Sequence, residues 1–249
     1  MSRFVFLPRP KARKVHEAAL RVLERTGIRM GHPEGRELCC SAGAFIDGQD
    51  RVCFPPEVVH EALRRARRGW KLYDRDGRRP VRLGPGRTLF GPGSDALFQI
   101  DPETGVFRKS TLADVRRNVR LVDSLDSFEF VMSTALPEDV EPRLLYPVVF
   151  SEMVRNTSKP LVATATDGWD IERIHRIASA VAGGPERLRQ RPFFVAYLEP
   201  ISPLRLEDSI TDRVIYCARN EIPMLFAAGA NCGGGAPVTP EGGVVQGTA

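Results

Sequence analysis

A carboxylate suited to holding a cation lies at the end of an apolar run. Glu199 directly follows the run Phe193–Leu198, so we expect it at the carboxyl end of a strand. Tyr197, Phe90 and Phe98 are aromatic residues in or near predicted loops, and such rings can enclose a cationic ligand by cation–π contacts. Two less specific interpretations stay open, because Glu199 could pair with an arginine and each ring could pack in the core.

Three consecutive glycines, Gly233–Gly235, predict a second kind of site. Backbone amides freed by glycine at the start of a helix can hold a phosphate or a carboxylate. No Lys-Ser/Thr pair follows the glycines, which excludes a P-loop. A flexible loop that turns the chain tightly into the helix explains the glycines equally well, so the anion-binding loop is one of two interpretations.

The histidines and cysteines show no spacing typical of a metal site. They are His16, His32, His60 and His175, and Cys39, Cys40, Cys53, Cys217 and Cys232. The chain contains no CxxC pair and no Gly-x-Ser-x-Gly turn. We therefore predict no bound metal and reduced, mostly structural cysteines, and the sequence identifies no catalytic residue for proton transfer.

The elements that position the candidate residues repeat along the second half of the chain. The predicted strands and helices are Phe128–Ser133 with Arg143–Arg155, Leu161–Ala165 with Ile171–Ala182, Phe193–Leu198 with Asp208–Arg219, and Ile222–Phe226 with a helix from Thr239 onward. Such alternation is typical of βαβ units and a parallel sheet. The loop after the first strand contains no glycine, which argues against a dinucleotide-binding sheet and favours part of a (β/α)8 barrel.

Residues that leave the carboxyl ends of barrel strands line the active site. The positions selected by this rule are Ser133, Thr134, Thr164, Thr166, Asp167, Tyr197, Glu199, Ser202, Gly229 and Asn231. With the aromatic rings added, the predicted substrate-binding residues are Glu199, Tyr197, Ser202, Phe90, Phe98 and Asn231.

The first half of the chain predicts an α+β region. The expected elements are a helix from Val15 that ends at Gly27, helices over Glu34–Cys40 and Glu57–Arg68, a hairpin over Ala44–Phe54, strands over Trp70–Tyr73, Val81–Leu83, Thr88–Phe90 and Ala96–Ile100, and a helix that Thr111 and Asp114 begin with a capping box. We therefore expect two domains, an α+β region with antiparallel strands over residues 1–126 and the first half of a (β/α)8 barrel over residues 127–249.

The composition is that of an ordinary globular protein, with 42% hydrophobic and 27% charged residues. No segment is apolar and long enough for a signal-peptide core or a membrane span, so we expect a cytoplasmic protein with no membrane partner. Much of the net charge of +5 lies in a basic stretch that contains Arg64, Arg65, Arg67, Arg68, Lys71, Arg75, Arg78, Arg79, Arg82 and Arg87. This stretch indicates a solvated face or contact with an acidic protein rather than with nucleic acid, because Asp74 and Asp76 interrupt it.

Short segments spread across nearly the whole chain form a recognisable series. They are His16–Ile28, Leu72–Asp76, Phe90–Gly93, Ser110–Asp114, Arg155–Pro160, Glu199–Leu204 and Ala236–Thr239. In this order they resemble the trimethylamine methyltransferase family, whose corrinoid-dependent members also include glycine betaine methyltransferases. The loop Ala230–Gly235 is richer in glycine than in that family.

The resemblance implies a (β/α)8 barrel that moves a methyl group from a methylated amine to the cobalt of a corrinoid. The substrate would be trimethylamine or a quaternary amine such as glycine betaine, as in methylamine metabolism and methanogenesis. The resemblance also implies that this chain binds no cofactor directly and that a separate corrinoid protein presents the cobalamin. The missing acid–base residues agree with this chemistry, because a quaternary ammonium leaves as a neutral amine without a proton.

The sequence ends within the fourth predicted βα unit. We therefore expect these residues alone to be inactive and to associate as homo-oligomers through exposed strand edges and apolar helix faces. Two rival functions stay open. One is a barrel enzyme that acts on a phosphorylated small molecule through Gly233–Gly235, and the other is a non-catalytic fragment whose basic stretch binds an acidic protein.

Overall fold

The structure, a computed structural model, describes residues 7–67 and 69–249. Within these residues the α-helices are α1 (Arg9–Arg25), α2 (Pro33–Ser41), α3 (Pro56–Arg65), α4 (Leu112–Ser124), α5 (Leu145–Asn156), α6 (Gly168–Ala182), α7 (Pro185–Gln190), α8 (Asp208–Arg219) and α9 (Pro240–Thr248). The strands of the same part of the chain are β1 (Arg29–Met30), β2 (Phe45–Ile46), β3 (Val52–Cys53), β4 (Trp70–Tyr73), β5 (Pro80–Leu83), β6 (Phe98–Ile100), β7 (Phe107–Lys109), β8 (Val131–Met132), β9 (Leu161–Ala163), β10 (Phe194–Leu198), β11 (Arg205–Leu206) and β12 (Met224–Phe226).

The chain divides into two compact units. The first comprises the described residues of Met1–Ala66, Glu199–Asp212 and Phe226–Ala249, and the second comprises those of Arg67–Leu198 and Arg213–Leu225. The division into domains at residues 126 and 127 stays a prediction.

Short strands in the first unit surround a small apolar cluster. β1 pairs with β11 in parallel, and β2 pairs with β3 antiparallel. Met30, Ala44 and Val52 are buried at the centre of the cluster. Gly27 follows α1 with φ of 62°, and a Cβ there would lie 2.5 Å from the carbonyl oxygen of Val52, so only glycine fits. The predicted hairpin and the glycine that ends the first helix are both confirmed.

A four-stranded sheet has the order β12–β10–β9–β8. β9 is parallel to both β8 and β10. Strands that follow one another in the sequence are therefore neighbours in the sheet, and each is connected to the next through at least one helix. The predicted α/β fold with a parallel sheet is confirmed.

The two faces of this sheet bury different clusters, because successive side chains of a strand point to opposite faces. Val131, Leu161 and Phe194 pack with helical residues into the largest apolar cluster. The alternate residues pack on the other face, which we call the inner face, in a cluster made of Met132, Val162 and Val195 with Leu72 of β4 and the partly buried Trp70, Leu83, Phe130 and Tyr197. The inner face is the one that carries a predicted site residue, Tyr197.

Three local predictions are corrected by the structure. Thr88–Phe90 is not a strand, because it pairs with no strand of the described residues and the backbone of Phe90 is instead hydrogen-bonded to Glu129. β7 is an additional strand, antiparallel to β6, whose Arg108 and Lys109 give it no apolar alternation. α3 ends at Arg65, earlier than predicted, and Arg68 lies outside the described residues.

Candidate functional site

A polar rim follows the apolar inner face at the carboxyl ends of β8, β9 and β10. Thr134 and Thr164 come two residues after the inner-face Met132 and Val162, and Tyr197 is itself an inner-face residue of β10. The hydroxyl oxygen of Thr134 is buried and has no hydrogen-bond partner within the described part of the chain. Because buried hydroxyls are normally hydrogen-bonded, this oxygen indicates a place for a ligand or a water.

Asp95 brings a carboxylate to the same edge of the sheet. Its backbone N–H donates to the carbonyl oxygen of Ser133 at 2.8 Å, and the hydroxyl of Thr164 lies 3.5 Å from its Oδ1. The segment that carries Asp95 runs alongside β8, since Glu129 donates to the carbonyl of Phe90 at 2.8 Å and Leu136 donates to that of Ala96 at 3.0 Å. Asp95 is therefore fixed beside the ends of β8 and β9.

Two residues of this segment, Gly91 and Asp95, allow it to run alongside β8. A Cβ on Gly91 would overlap the aromatic ring of Phe130, so glycine lets the segment pass directly over that ring. Asp95 itself has φ of 56°, in the left-handed region that aspartate tolerates better than most residues. The backbone thus holds the carboxylate in a conformation that few other side chains adopt.

The electrostatics of Asp95 favour a bound cation. The pKa of Asp95 is raised by burial, although hydrogen bonding to the hydroxyls of Ser133 and Thr164 partly opposes the rise. The pKa of the nearby Tyr146 is also raised, first by burial and then by the negative charges of Asp95 and Asp170. No lysine or arginine among the described residues forms an ion pair with Asp95. A partly buried carboxylate without a cation is unfavourable, so the arrangement is suited to a ligand that supplies one.

The predicted aromatic residues are placed in different parts of the second unit. Tyr197 lies on the inner face of the sheet. Phe90 is 64% exposed and lies beside Glu129, which precedes β8, so it is near the amino end of that strand. Phe98 stacks on Phe107 of the β6–β7 hairpin with ring centroids 4.9 Å apart. A role for Phe90 or Phe98 in substrate binding stays a prediction.

Glu199 and Ser202 lie close to the loop after β12 in the first unit. A Cβ on Gly229 would collide with Oε1 of Glu199, and the hydroxyl of Ser202 donates to the carbonyl of Gly229 at 3.4 Å. A Cβ on Gly235 would lie 3.0 Å from Cβ of Ser202. The structure therefore brings these two predicted residues together with the loop that carries Asn231.

In the glycine loop, Gly233–Gly235, most backbone amides donate hydrogen bonds within the loop itself. The amide of Gly233 donates to the carbonyl of Ala236, and that of Gly234 donates to the carbonyl of Asn231, each at 3.0 Å. The first turn of α9 is capped by the hydroxyl of Thr239, which accepts from the N–H of Gly242 at 3.1 Å. Two of the three glycine amides thus have partners within the loop, and the anion-binding site stays a prediction.

Asp167, a further position at a strand end, has a structural role. It caps α6, because its Oδ1 accepts from the N–H of Asp170 at 3.0 Å while Oδ2 of Asp170 accepts from the N–H of Thr166 at 2.9 Å. Arg143 donates to Oδ2 of Asp167 at 2.8 Å. These contacts satisfy the carboxylate of Asp167 within the protein, so its position is explained without a ligand.

Metal-ligating side chains do not converge in the described residues. No group of three or more His, Cys, Asp and Glu side chains there could hold a metal ion. His16 and His60 do lie together, with their Nε2 atoms 3.4 Å apart, although they are far apart in sequence. All five cysteines are free thiols. None of the helices in the described part of the chain combines the length and the apolar character that crossing a bilayer requires.

Asp95 is not among the site residues predicted from the sequence. Most of those residues were chosen because they follow predicted strands, whereas Asp95 precedes β6. One signal was present, since Asp95 stands two residues after the segment Phe90–Gly93. That spacing alone does not show that the carboxylate reaches the end of the sheet.

Comparison with known proteins gives a consistent result. The sequence model described as trimethylamine methyltransferase (MTTB) matches residues 2–249. The chain is 29% identical over 232 residues to a trimethylamine methyltransferase of Desulfitobacterium hafniense strain DSM 10664 / DCB-2, which covers 93% of this chain and 47% of that relative. It is 29% identical over 239 residues to a trimethylamine methyltransferase of Methanosarcina thermophila, covering 93% of this chain and 49% of the relative.

A third relative has a different named substrate. The chain is 22% identical over 243 residues to a glycine betaine methyltransferase of Desulfitobacterium hafniense strain Y51, with 97% of this chain and 50% of the relative covered. The chain thus spans about half the length of these curated relatives.

Proposed function

The chain belongs to the trimethylamine methyltransferase family, and from this premise we propose that it serves methyl transfer from a small methylated ammonium to the cobalt of a corrinoid. Asp95 is the observation that carries the proposal. It is partly buried at the carboxyl edge of a parallel sheet, and no cationic side chain of the described residues forms an ion pair with it. A methylated ammonium supplies the missing positive charge and is small enough to lie among side chains at the end of a sheet.

Each residue at this edge has a defined task in the proposal. Asp95 attracts the ammonium and orients it, because the attraction between opposite charges is strengthened where water is partly excluded. The hydroxyl of Thr134 takes its missing hydrogen bond from a water or a substrate group, and the ring of Tyr197 contributes an aromatic surface for the cation. A role of Glu199 and Ser202, in the first unit, in substrate binding stays a separate prediction.

The reduced cobalt of a corrinoid supplies the nucleophile that accepts the methyl group. We propose that a separate corrinoid protein presents it, as the resemblance to the family implies. A quaternary ammonium leaves as a neutral tertiary amine, so this chain needs no proton donor for that substrate. Its contribution is to hold the ammonium in the orientation for attack, which lowers the entropic cost of the reaction.

We further propose that the sheet is part of a (β/α)8 barrel over residues 127–249, in a cytoplasmic protein. The support is the order of its strands, which are sequential neighbours with a helix in each connection. Barrel enzymes place their active sites at the carboxyl ends of the strands, where Asp95 and Thr164 lie. A structure of a full-length relative with an antiparallel strand inside this sheet would contradict the barrel.

The test is isothermal titration calorimetry of the chain with tetramethylammonium, trimethylammonium and glycine betaine. We expect Asp95→Asn to weaken binding of the methylated cations by about tenfold or more, equivalent to about 1.4 kcal/mol. Asp126→Asn is the matched control, because it removes one negative charge from an exposed position of the same unit. An assay of the methylation of a reduced corrinoid, monitored by visible absorbance, tests the expectation that these residues alone are inactive.

Equal binding to the Asp95→Asn and Asp126→Asn variants would overturn the role of Asp95. If the chain does transfer methyl groups, an unchanged rate in the Asp95→Asn variant would exclude Asp95 from the reaction. Circular dichroism of each variant checks that a loss of binding does not come from unfolding.

A further inference from the structure

A cavity of about 460 Å³ lies at the amino end of the sheet, the end opposite to Asp95. The β4–β5 hairpin is anchored there, since Tyr73 donates to the carbonyl of Pro192 at 2.7 Å and Arg75 donates to that of Ser158 at 2.8 Å. Both acceptors precede strands of the sheet. The cavity is lined by Arg75, Asp76, Gly77, Val181, Ala182, Gly183, Arg187, Gln190 and Arg191, all in the second unit.

Its charged lining consists of three arginines and one aspartate. Arg75 donates to the carbonyl of Val154 at 2.5 Å, and its Nε lies 3.5 Å from Asp76. Arg191 donates to the carbonyl of Gly77 at 3.1 Å. A backbone carbonyl occupies only part of the hydrogen-bonding capacity of a guanidinium, which has five N–H donors. The lining therefore has both excess positive charge and unused donors.

Two glycines lie beside arginines of the lining. Gly183 has φ of 81°, and a Cβ there would lie 2.9 Å from Nη1 of Arg187. Gly77 has φ of 72°, and a Cβ there would lie 3.4 Å from Cδ of Arg191. Any other residue at Gly183 would be strained and would displace the Arg187 guanidinium. Arg187 and Arg191 are exposed, and their side chains pass over backbone positions that carry no Cβ.

We propose that this cavity binds a phosphate group, either as the free anion or on a small phosphorylated molecule. Guanidinium groups bind phosphate oxygens through pairs of parallel hydrogen bonds. The three arginines exceed the one aspartate by two positive charges, which matches the charge of a phosphate dianion. The volume lies within the range of about 300–1,000 Å³ found for small-molecule sites. This site is separate from the proposed methyl transfer and does not depend on it.

The test is calorimetric titration of the chain with inorganic phosphate and, separately, with ADP. We expect Arg187→Gln to weaken binding by about tenfold or more, and Arg187→Lys to weaken it less because it keeps the charge but loses the planar fork. Arg176→Gln is the control, since Arg176 is an exposed residue of α6 outside the cavity lining. We expect its affinity to stay within about twofold of that of the unchanged chain.

The two probes distinguish the sources of the phosphate. Tighter binding of ADP supports a phosphorylated molecule, and equal binding supports recognition of the phosphate group alone. Equal weakening by Arg187→Gln and Arg176→Gln would show unspecific attraction to a basic surface and would overturn the proposal. Absence of binding for both probes at millimolar concentration would also overturn it. Gly183→Ala provides a second variant, which displaces Arg187 without removing its charge and is expected to weaken binding as well.

Discussion

Asp114 and Asp95 are two carboxylates of the same unit in opposite circumstances. Asp114 is fully buried and accepts hydrogen bonds from Arg108 at 2.7 Å, from the N–H of Thr111 at 2.9 Å and from Arg117. The hydrogen bond from Arg108 is the main reason that the pKa of Asp114 lies below its usual range. Asp95 is only partly buried, has no cationic partner among the described residues, and has a raised pKa because burial dominates.

The difference separates a carboxylate that supports folding from one that is available to a ligand. The protein itself satisfies Asp114, so its negative charge stabilises the folded chain. The charge of Asp95 is partly desolvated without such compensation, which costs stability until a cation binds. A carboxylate that is unfavourable for folding but held in a defined position is typical of functional sites. Four experiments test this contrast.

The largest expected effect is that of Asp114→Ala on stability. It leaves Arg117 and the start of α4 without their buried acceptor, and we expect the free energy of unfolding to fall by about 3 kcal/mol. Because the pKa of Asp114 is lowered in the folded state, its contribution is present at neutral pH and is lost as pH falls through that low pKa. Urea unfolding at neutral and acidic pH measures the loss of stability in the variant and how that loss depends on pH. A loss no larger than that of the exposed control Asp126→Ala would contradict the structural role of Asp114.

The next effect is that of Gly91→Ala on the path of the segment that carries Asp95. The added methyl group overlaps the ring of Phe130, and we expect a loss of about 2 kcal/mol in the free energy of unfolding. Binding of tetramethylammonium should weaken at the same time, because Asp95 moves with the segment. Gly93→Ala is the control, since a Cβ there has no neighbour within 4 Å. Similar behaviour of the two variants would show that the contact with Phe130 does not position Asp95.

The affinity for a methylated cation should depend on pH. Because the pKa of Asp95 is raised, the carboxylate gains its proton at a higher pH than an ordinary aspartate does. Below that pKa we expect affinity to fall by about tenfold per pH unit, or about 1.4 kcal/mol. Titrations with tetramethylammonium over a series of pH values measure this, since the charge of that cation does not change with pH. The Asp95→Asn variant should bind weakly with no such dependence, and a matching pH profile in that variant would assign the titration to another group.

The smallest expected effect is that of Asp95→Asn on stability. Since the folded-state pKa of Asp95 is raised, ionisation at neutral pH favours the unfolded chain, and its removal should raise the free energy of unfolding by less than about 1 kcal/mol. The gain should disappear as pH falls below the ordinary aspartate pKa, where the carboxyl is protonated in both states. Urea midpoints at the two pH values give the measurement. A destabilised variant at neutral pH would mean that Asp95 supports the fold as Asp114 does.

The sequence predicts the parallel sheet well, because the apolar runs at Leu161–Ala163 and Phe194–Leu198 have the length and bounding prolines of buried strands. It could not select Asp95, since the proximity of Asp95 to Thr164 depends on a backbone hydrogen bond to Ser133 far along the chain. The glycine loop shows the same limit. Its glycines are visible in the sequence, but the hydrogen bonds that occupy the amides of Gly233 and Gly234 depend on the folded loop.

The segment beside β8 also affects how the protein avoids misassembly. Backbone groups of Phe90, Asp95 and Ala96 are hydrogen-bonded to residues on either side of β8, so this edge of the sheet is shielded against the addition of a foreign strand. The same short segment therefore carries the proposed ligand contact and covers the edge of the sheet at β8. A substitution that displaces this backbone, such as Gly91→Ala, is therefore expected to expose the edge of the sheet and to move the carboxylate at the same time.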